Sequence, residues 1–197
     1  IRPVEGRPGA WQANNPGQGW TTRFDGRGFV AAPEGGGWSW GLELRSYGFA
    51  GSQRSINGAP STQASGQRFT YTWDGAVQEW YVNDQRGLEH GFTVNERPRR
   101  ASGSGASDAL SFVLSLRGEL RPRVHTDALG VEFRDASGAA VLQYAGLKVW
   151  DADGRILPSG FGPLDPADPS AITITVDERN ARYPLTIDPL TGSPASP

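Results

Sequence analysis

Phe69-Thr70-Tyr71-Thr72-Trp73-Asp74-Gly75-Ala76-Val77-Gln78-Glu79-Trp80-Tyr81-Val82 decides the fold. Phe69, Tyr71 and Trp73 alternate with threonines, and Val77, Glu79 and Tyr81 alternate with Gln78, Trp80 and Val82. Aromatic and β-branched residues at period two suit a pleated, half-buried strand, and Asp74-Gly75 between the two runs supplies turn chemistry. The stretch therefore predicts an antiparallel hairpin. Downstream, Leu110, Phe112, Leu114 and Leu116 share one face of a strand, as do Ile172, Ile174 and Val176. Upstream, Trp20 to Phe24, Phe29 to Ala32 and Trp38 to Leu44 are strand-sized apolar pieces separated by glycine clusters, with Trp38, Trp40, Leu42 and Leu44 in phase.

The remaining runs fit the same scheme. Leu88 to Val94 and Gly118 to Val124 read as strands, and Tyr183 to Ile187 as the last one. Val131 to Phe133 returns through Asp135-Ala136-Ser137-Gly138 to Val141–Tyr144, and Leu147 to Trp150 returns through Asp151-Ala152-Asp153-Gly154 to Ile156 and Leu157. Asp near the start and Gly at the end of such connections is type I turn chemistry. The small and polar stretch from Gly48 to Gly66 reads as a long loop. Roughly a dozen short strands and no helix predict an all-β chain, an antiparallel β-sandwich. Residues 1–190 are expected to form a single domain, its halves joined by an exposed, mobile linker over 96–107, with 191–197 as a linker tail.

Composition narrows the classes. Among 197 residues, 27 Gly and 15 Pro leave no room for a coiled coil or a transmembrane helix. The 19 basic and 21 acidic residues nearly balance, which excludes a strongly basic nucleic-acid binder, so neither nucleic acid nor membrane insertion is expected. With no cysteine, disulfides, thiolate zinc sites and cysteine nucleophiles are excluded, while an oxidising compartment is permitted. The start at Ile1 and the lack of Met suggest a processed or excerpted chain, any signal peptide lying upstream.

Each residue with chemical potential has an ordinary reading beside it. Tyr71, Trp73, Trp80 and Tyr81 offer stacking faces for a glycan or a protein if their side of the hairpin meets solvent; otherwise they are cross-strand core pairs. Glu79 with Asp84 or Glu89 can serve as the acid and base of sugar chemistry if the fold holds the two about 5 to 9 Å apart. Asp151 and Asp153 resemble part of a calcium loop, as does Asp25-Gly26-Arg27-Gly28, yet neither has the third oxygen ligand or the distal Glu, so turn chemistry is the simpler reading. Asp165 and Asp168 form a looser cluster of the same kind. No cofactor is expected beyond a weak Ca2+ site. Gly37-Trp38-Ser39-Trp40-Gly41 matches a nucleophile elbow, but a strand rather than a helix follows it. His90 and His125 are the two imidazoles, and a triad needs a serine and a carboxylate near one of them. Lys148, the one lysine, suggests the internal cross-link of some adhesins, although alternation turns it outward.

Asn15-Pro16-Gly17-Gln18, Phe24 to Val30, Glu79-Trp80-Tyr81-Val82-Asn83, Gly87 to Val94, and Tyr183-Pro184-Leu185-Thr186-Ile187-Asp188-Pro189-Leu190 together carry a family likeness. In this order they resemble the β-rich region that precedes SBBP-type or FG-GAP (integrin-like) β-propeller repeats in large secreted and cell-surface bacterial proteins. The likeness spans nearly the whole chain, and its closing motif, an aromatic followed by Pro-Leu-x-Ile-Asp-Pro, is the most specific part. Gly48 to Gly66 and the arginine-rich linker depart from it. The resemblance implies a sandwich-like fold, an extracellular or envelope location and downstream β-propeller repeats as partners, and it supplies no catalytic residue. The expected function is a non-catalytic structural or adhesion module that binds glycan or protein. One alternative is a carbohydrate-active enzyme fragment with paired carboxylates, and another is a homo-oligomeric subunit that pairs strand edges.

Overall fold

The computed structural model, which describes residues 1–100 and 109–192, holds seventeen strands among them, and period-two burial is realised in those that line the core. The strands are β1 (Arg2–Pro3), β2 (Trp11–Asn15), β3 (Trp20–Phe24), β4 (Phe29–Pro33), β5 (Trp40–Phe49) and β6 (Arg54–Ser55). Then come β7 (Ser61–Ser65), β8 (Arg68–Thr72), β9 (Val77–Asp84), β10 (Gly87–Val94), β11 (Ala109–Gly118) and β12 (Arg121–Val124). The last are β13 (Gly130–Arg134), β14 (Ala140–Trp150), β15 (Ser159–Phe161), β16 (Ala171–Asp177) and β17 (Leu185–Gly192). One sheet runs β1-β2-β3-β4-β5-β11-β16-β15, with β6 also on β5, and the other runs β12-β13-β14-β17-β10-β9-β8-β7. The ladders are antiparallel. The fold is an all-β sandwich, and no helix occurs among the described residues.

The core lies between the two inner faces. Phe24, Phe29, Trp40, Leu42, Leu44, Phe112 and Ile174 of the first sheet meet Phe69, Tyr81, Phe92, Phe133, Tyr144 and Ile187 of the second. Ring centroids stand 4.9 Å apart for Phe24 and Tyr81, 4.9 Å for Trp40 and Phe133, and 5.0 Å for Phe92 and Phe112. Full burial of each such side chain stabilises by about 1.5–3 kcal/mol, so this aromatic layer dominates the cohesion of the sandwich.

The deciding hairpin forms as β8 and β9, with Thr72 opposite Gln78. Its turn is held by Asp74, whose Oδ1 accepts the N–H groups of Ala76 and Val77 at 2.8 and 2.9 Å. Other stretches differ from expectation. The loop over Gly48 to Gly66 contains β6 and β7, whose polar residues show no apolar alternation because β7 lies exposed at a sheet edge. The Leu147–Leu157 hairpin shrinks to one bridge between Trp150 and Ile156, since β14 continues from Ala140 to Trp150 through an irregularity between Ala145 and Lys148. Gly146, at φ 69°, takes the left-handed conformation that this irregularity needs.

Both supposed linkers are in part structural. Arg97 and Arg100 each reach the buried carboxylate of Glu178 at 2.8 Å, so 96–100 is tied to the sandwich, and 101–107 lies outside the described residues. β17 extends through Thr191, which is 1% exposed, to Gly192; only 193–197 of the expected tail lies outside the described residues.

Candidate functional site

Register sorts the β8–β9–β10 side chains into two opposite sets. Val77, Glu79 and Tyr81 face the core with Phe69, Tyr71, Leu88, His90 and Phe92, whereas Arg68, Trp80 and Glu89 face outward.

On the inner side a polar chain crosses the aromatic core. Glu79 and His90 are both fully buried. The Tyr81 hydroxyl donates to Glu79 Oε1 at 2.7 Å, and the Trp73 indole N–H donates to Oε2 at 2.8 Å. His90 Nε2 lies 2.8 Å from Oε1, and the Tyr144 hydroxyl lies 2.8 Å from His90 Nδ1. Burial raises the Tyr144 pKa well above the phenolic range, and the charge of Glu79 adds to this, so the hydroxyl keeps its proton beside Nδ1. Against the Glu79 carboxylate, Nε2 is the donor. Every donor in the chain is then satisfied, and Glu79 accepts three hydrogen bonds. The His90 ring stacks on Tyr81 at 4.8 Å and an interplanar angle of 6°, which fixes its orientation.

The outer side carries a different group. Trp80, 5% exposed, lies beneath the Arg68 guanidinium at 4.4 Å and across Gly91, where a Cβ would come within 2.3 Å of its Cζ2. Beside it, Asp188 of β17 stands near Glu89 of β10, with Lys148 of β14 opposite Asp188 in register and Arg86 3.9 Å from Glu89. Burial, then the charge of Glu89, push the Asp188 pKa up to about 6 against the opposing charges of Arg86 and Lys148.

These placements correct several expectations. Tyr71 and Tyr81 are fully buried, so no ligand can stack on them. The Tyr71 hydroxyl instead ties the β3–β4 turn, accepting Gly26 N–H at 3.0 Å and donating to Gly28 O at 2.9 Å. Trp80 is covered, and Trp73, half-buried, spends its N–H on Glu79. Glu79 cannot pair with Glu89, which faces the other way, or with Asp84, which binds Arg86 at 2.7 Å. The Asp151 carboxylate is consumed by the N–H groups of Asp153, Arg155 and Arg182 and by the Arg155 side chain, while Asp153 pairs with Arg182 at 2.8 Å. Turn chemistry therefore accounts for both, and among the described residues no three His, Asp or Glu side chains converge to hold a metal ion. The backbone N–H and hydroxyl of Ser39 are engaged by Glu119.

Motif segments quoted for the family likeness meet in space. Asn15, 2% exposed, donates through Nδ2 to Asn83 Oδ1, Asp84 O and Gly87 O at 3.0, 2.8 and 3.1 Å. Its Oδ1 accepts Gln18 N–H at 3.1 Å, and Asn83 donates back to Asn14 O at 2.9 Å. Gly17 packs so close that a Cβ would stand 3.1 Å from Gln85 O. The Asn15 turn thereby clasps the β9–β10 turn and locks one sheet to the other.

Several recesses indent the surface, two of them larger than the others described. One of about 530 Å3 is lined by Arg54, Arg97, Arg99 and Arg100, and one of about 600 Å3 by Leu116, Leu120, Leu164 and Glu119. Neither includes Glu79, Glu89 or Asp188. Sequence reasoning missed Tyr144 and Asp188; the in-phase placement of Glu79 with Val77 and Tyr81 was the one signal for the buried chain. No family model, no curated protein and no solved structure matches the chain.

Proposed function

We propose that this chain is a non-catalytic structural or adhesion module of a secreted or cell-surface bacterial protein, seated next to β-propeller repeats. The observation that carries the reading is the use made of polar groups. The buried Glu79–His90 pair satisfies Trp73, Tyr81 and Tyr144, and the Asn15 motif joins the two sheets, so conspicuous motif residues serve cohesion. The closing motif contributes likewise, as Leu185 and Ile187 fill the core from β17. A module under load between neighbours gains from such internal ties.

The test is a polysaccharide panel incubated with the purified chain and with the Glu89→Gln, Asp188→Asn double variant, alongside a glycan array with and without calcium. Release of reducing ends by the first protein and not the second would overturn the non-catalytic reading. Array binding without release supports adhesion, and silence in both assays supports a scaffold.

A further inference from the structure

Among the described residues the sheet edges of this sandwich are guarded, with one exception. β1 and β6 have two residues each and β15 has three. β12 carries Arg121, Pro122 and Arg123 in its four residues. Shortness, charge and proline are the usual means by which an edge is kept from pairing with another chain. β7 has none of them. Its five residues, Ser61-Thr62-Gln63-Ala64-Ser65, are uncharged, lack proline and pair with β8 in an unbroken register. Among the described residues no strand lies on its other side.

The order of residues says what fits there. Thr62 and Ala64 stand opposite Tyr71 and Phe69, whose side chains are buried, so they lie on the inner face; Ser61, Gln63 and Ser65 lie on the outer face. Turned antiparallel about Gln63, the segment is close to self-complementary: Ser61 meets Ser65 of a second copy, Thr62 meets Ala64, and Gln63 meets itself. Small side chains then face each other on the inner side, and two neutral amides that can hydrogen-bond face each other on the outer side. No like charges are brought together, as Arg121 and Arg123 would bring them at β12.

We propose that β7 is a homotypic docking edge, on which a second copy of this chain lays its own β7 antiparallel and joins two sheets across a two-fold axis. This goes beyond the structural or adhesive role above and stands without it. A five-residue ladder buries less than the roughly 1,200–2,000 Å2 of a stable interface, so the association is weak and set by concentration.

Sedimentation and light scattering from dilute solution up to about 1 mM read it directly, 1 mM being the dissociation constant of a contact worth about 4 kcal/mol. The mass rises toward that of a dimer with concentration. Gln63→Lys alone and Gln63→Glu alone stay monomeric, because like charges meet on the axis, and an equimolar mixture of the two regains the dimer. Hydrogen exchange over residues 61–65 slows as the dimer forms. A wild-type monomer throughout the range would overturn the proposal, as would a dimer that persists in Gln63→Lys. Slow exchange, in the dilute monomer, of those amides of 61–65 that point away from β8 would also overturn it, since a segment of the same chain would then cover the edge.

Discussion

His90 Nε2 lies 2.8 Å from Glu79 Oε1, and both side chains are completely shielded from solvent. Taking a carboxylate out of water is costly, and here the cost is offset by three donors and a stacked ring. The pair accordingly acts as a structural tie whose loss exposes its partners to an unsatisfied environment.

Removing the acceptor is expected to show this. Glu79→Ala leaves the Trp73 N–H, the Tyr81 hydroxyl and His90 Nε2 without their acceptor and lowers unfolding stability by about 3–5 kcal/mol. Glu79→Gln keeps the shape but presents an NH2 to donors, and loses about 1–3 kcal/mol. Urea unfolding of both variants checks the order; a Glu79→Ala protein within about 0.5 kcal/mol of wild type would remove the tie from the account.

The Asn15 clasp makes a sharper demand, because its Nδ2 faces three oxygens. Asn15→Ala is expected to cost about 1–3 kcal/mol. The near-isosteric Asn15→Asp turns a donor into an acceptor opposite Asn83 Oδ1, Asp84 O and Gly87 O, so it should destabilise at least as much as alanine does at neutral pH. Thermal unfolding of the two variants decides it, and an Asp variant as stable as wild type would contradict the donor assignment.

Gly91 is required by space. A Cβ there would lie 2.3 Å from Trp80 Cζ2 and 2.6 Å from the backbone oxygen of Ile187, so both the indole and the β10–β17 ladder must shift. Gly91→Ala should destabilise by about 1–3 kcal/mol and move the Trp80 fluorescence as the ring is displaced. Unchanged emission with unchanged stability would show that the ring has room that the packing denies.

Legibility followed burial. β3, β5, β8 to β11 and β16 were readable because one face of each is apolar and period two survives in sequence. β7 was unreadable for the converse reason: an edge strand of Ser, Thr, Gln and Ala has no apolar face to announce it. Alternation with Val77 and Tyr81 places Glu79 inside, away from Asp84 and Glu89, whereas Tyr144, brought to His90 by strand order, follows from no local pattern. Tyr71 and Tyr81 offer a ligand no stacking face for the same reason, since a sandwich strand has two faces and these rings take the inner one.

Asp188 gives the fold a pH dependence of definite sign. Its pKa is pushed up to about 6 by burial first and then by Glu89, while Arg86 and Lys148 pull the other way. Arg68 completes the group: burial lowers its pKa, and the charges of Glu89 and Asp188 oppose that. An acid that holds its proton more tightly when folded stabilises the fold fully below about pH 4, and this contribution fades as pH rises through about 6. Asp84 and Asp177, held low by hydrogen bonds from Arg86 and Arg179, act in the opposite sense, so the difference between wild type and Asp188→Asn is the quantity to follow. Because Asp188 is only partly buried, solvent screening reduces the effect to about 1 kcal/mol. The two proteins should be nearly equal in stability at pH 4, with Asp188→Asn the more stable by that amount at pH 7.5. Urea unfolding across this range checks it, and a difference that stays constant with pH would mean that folding does not raise the Asp188 pKa.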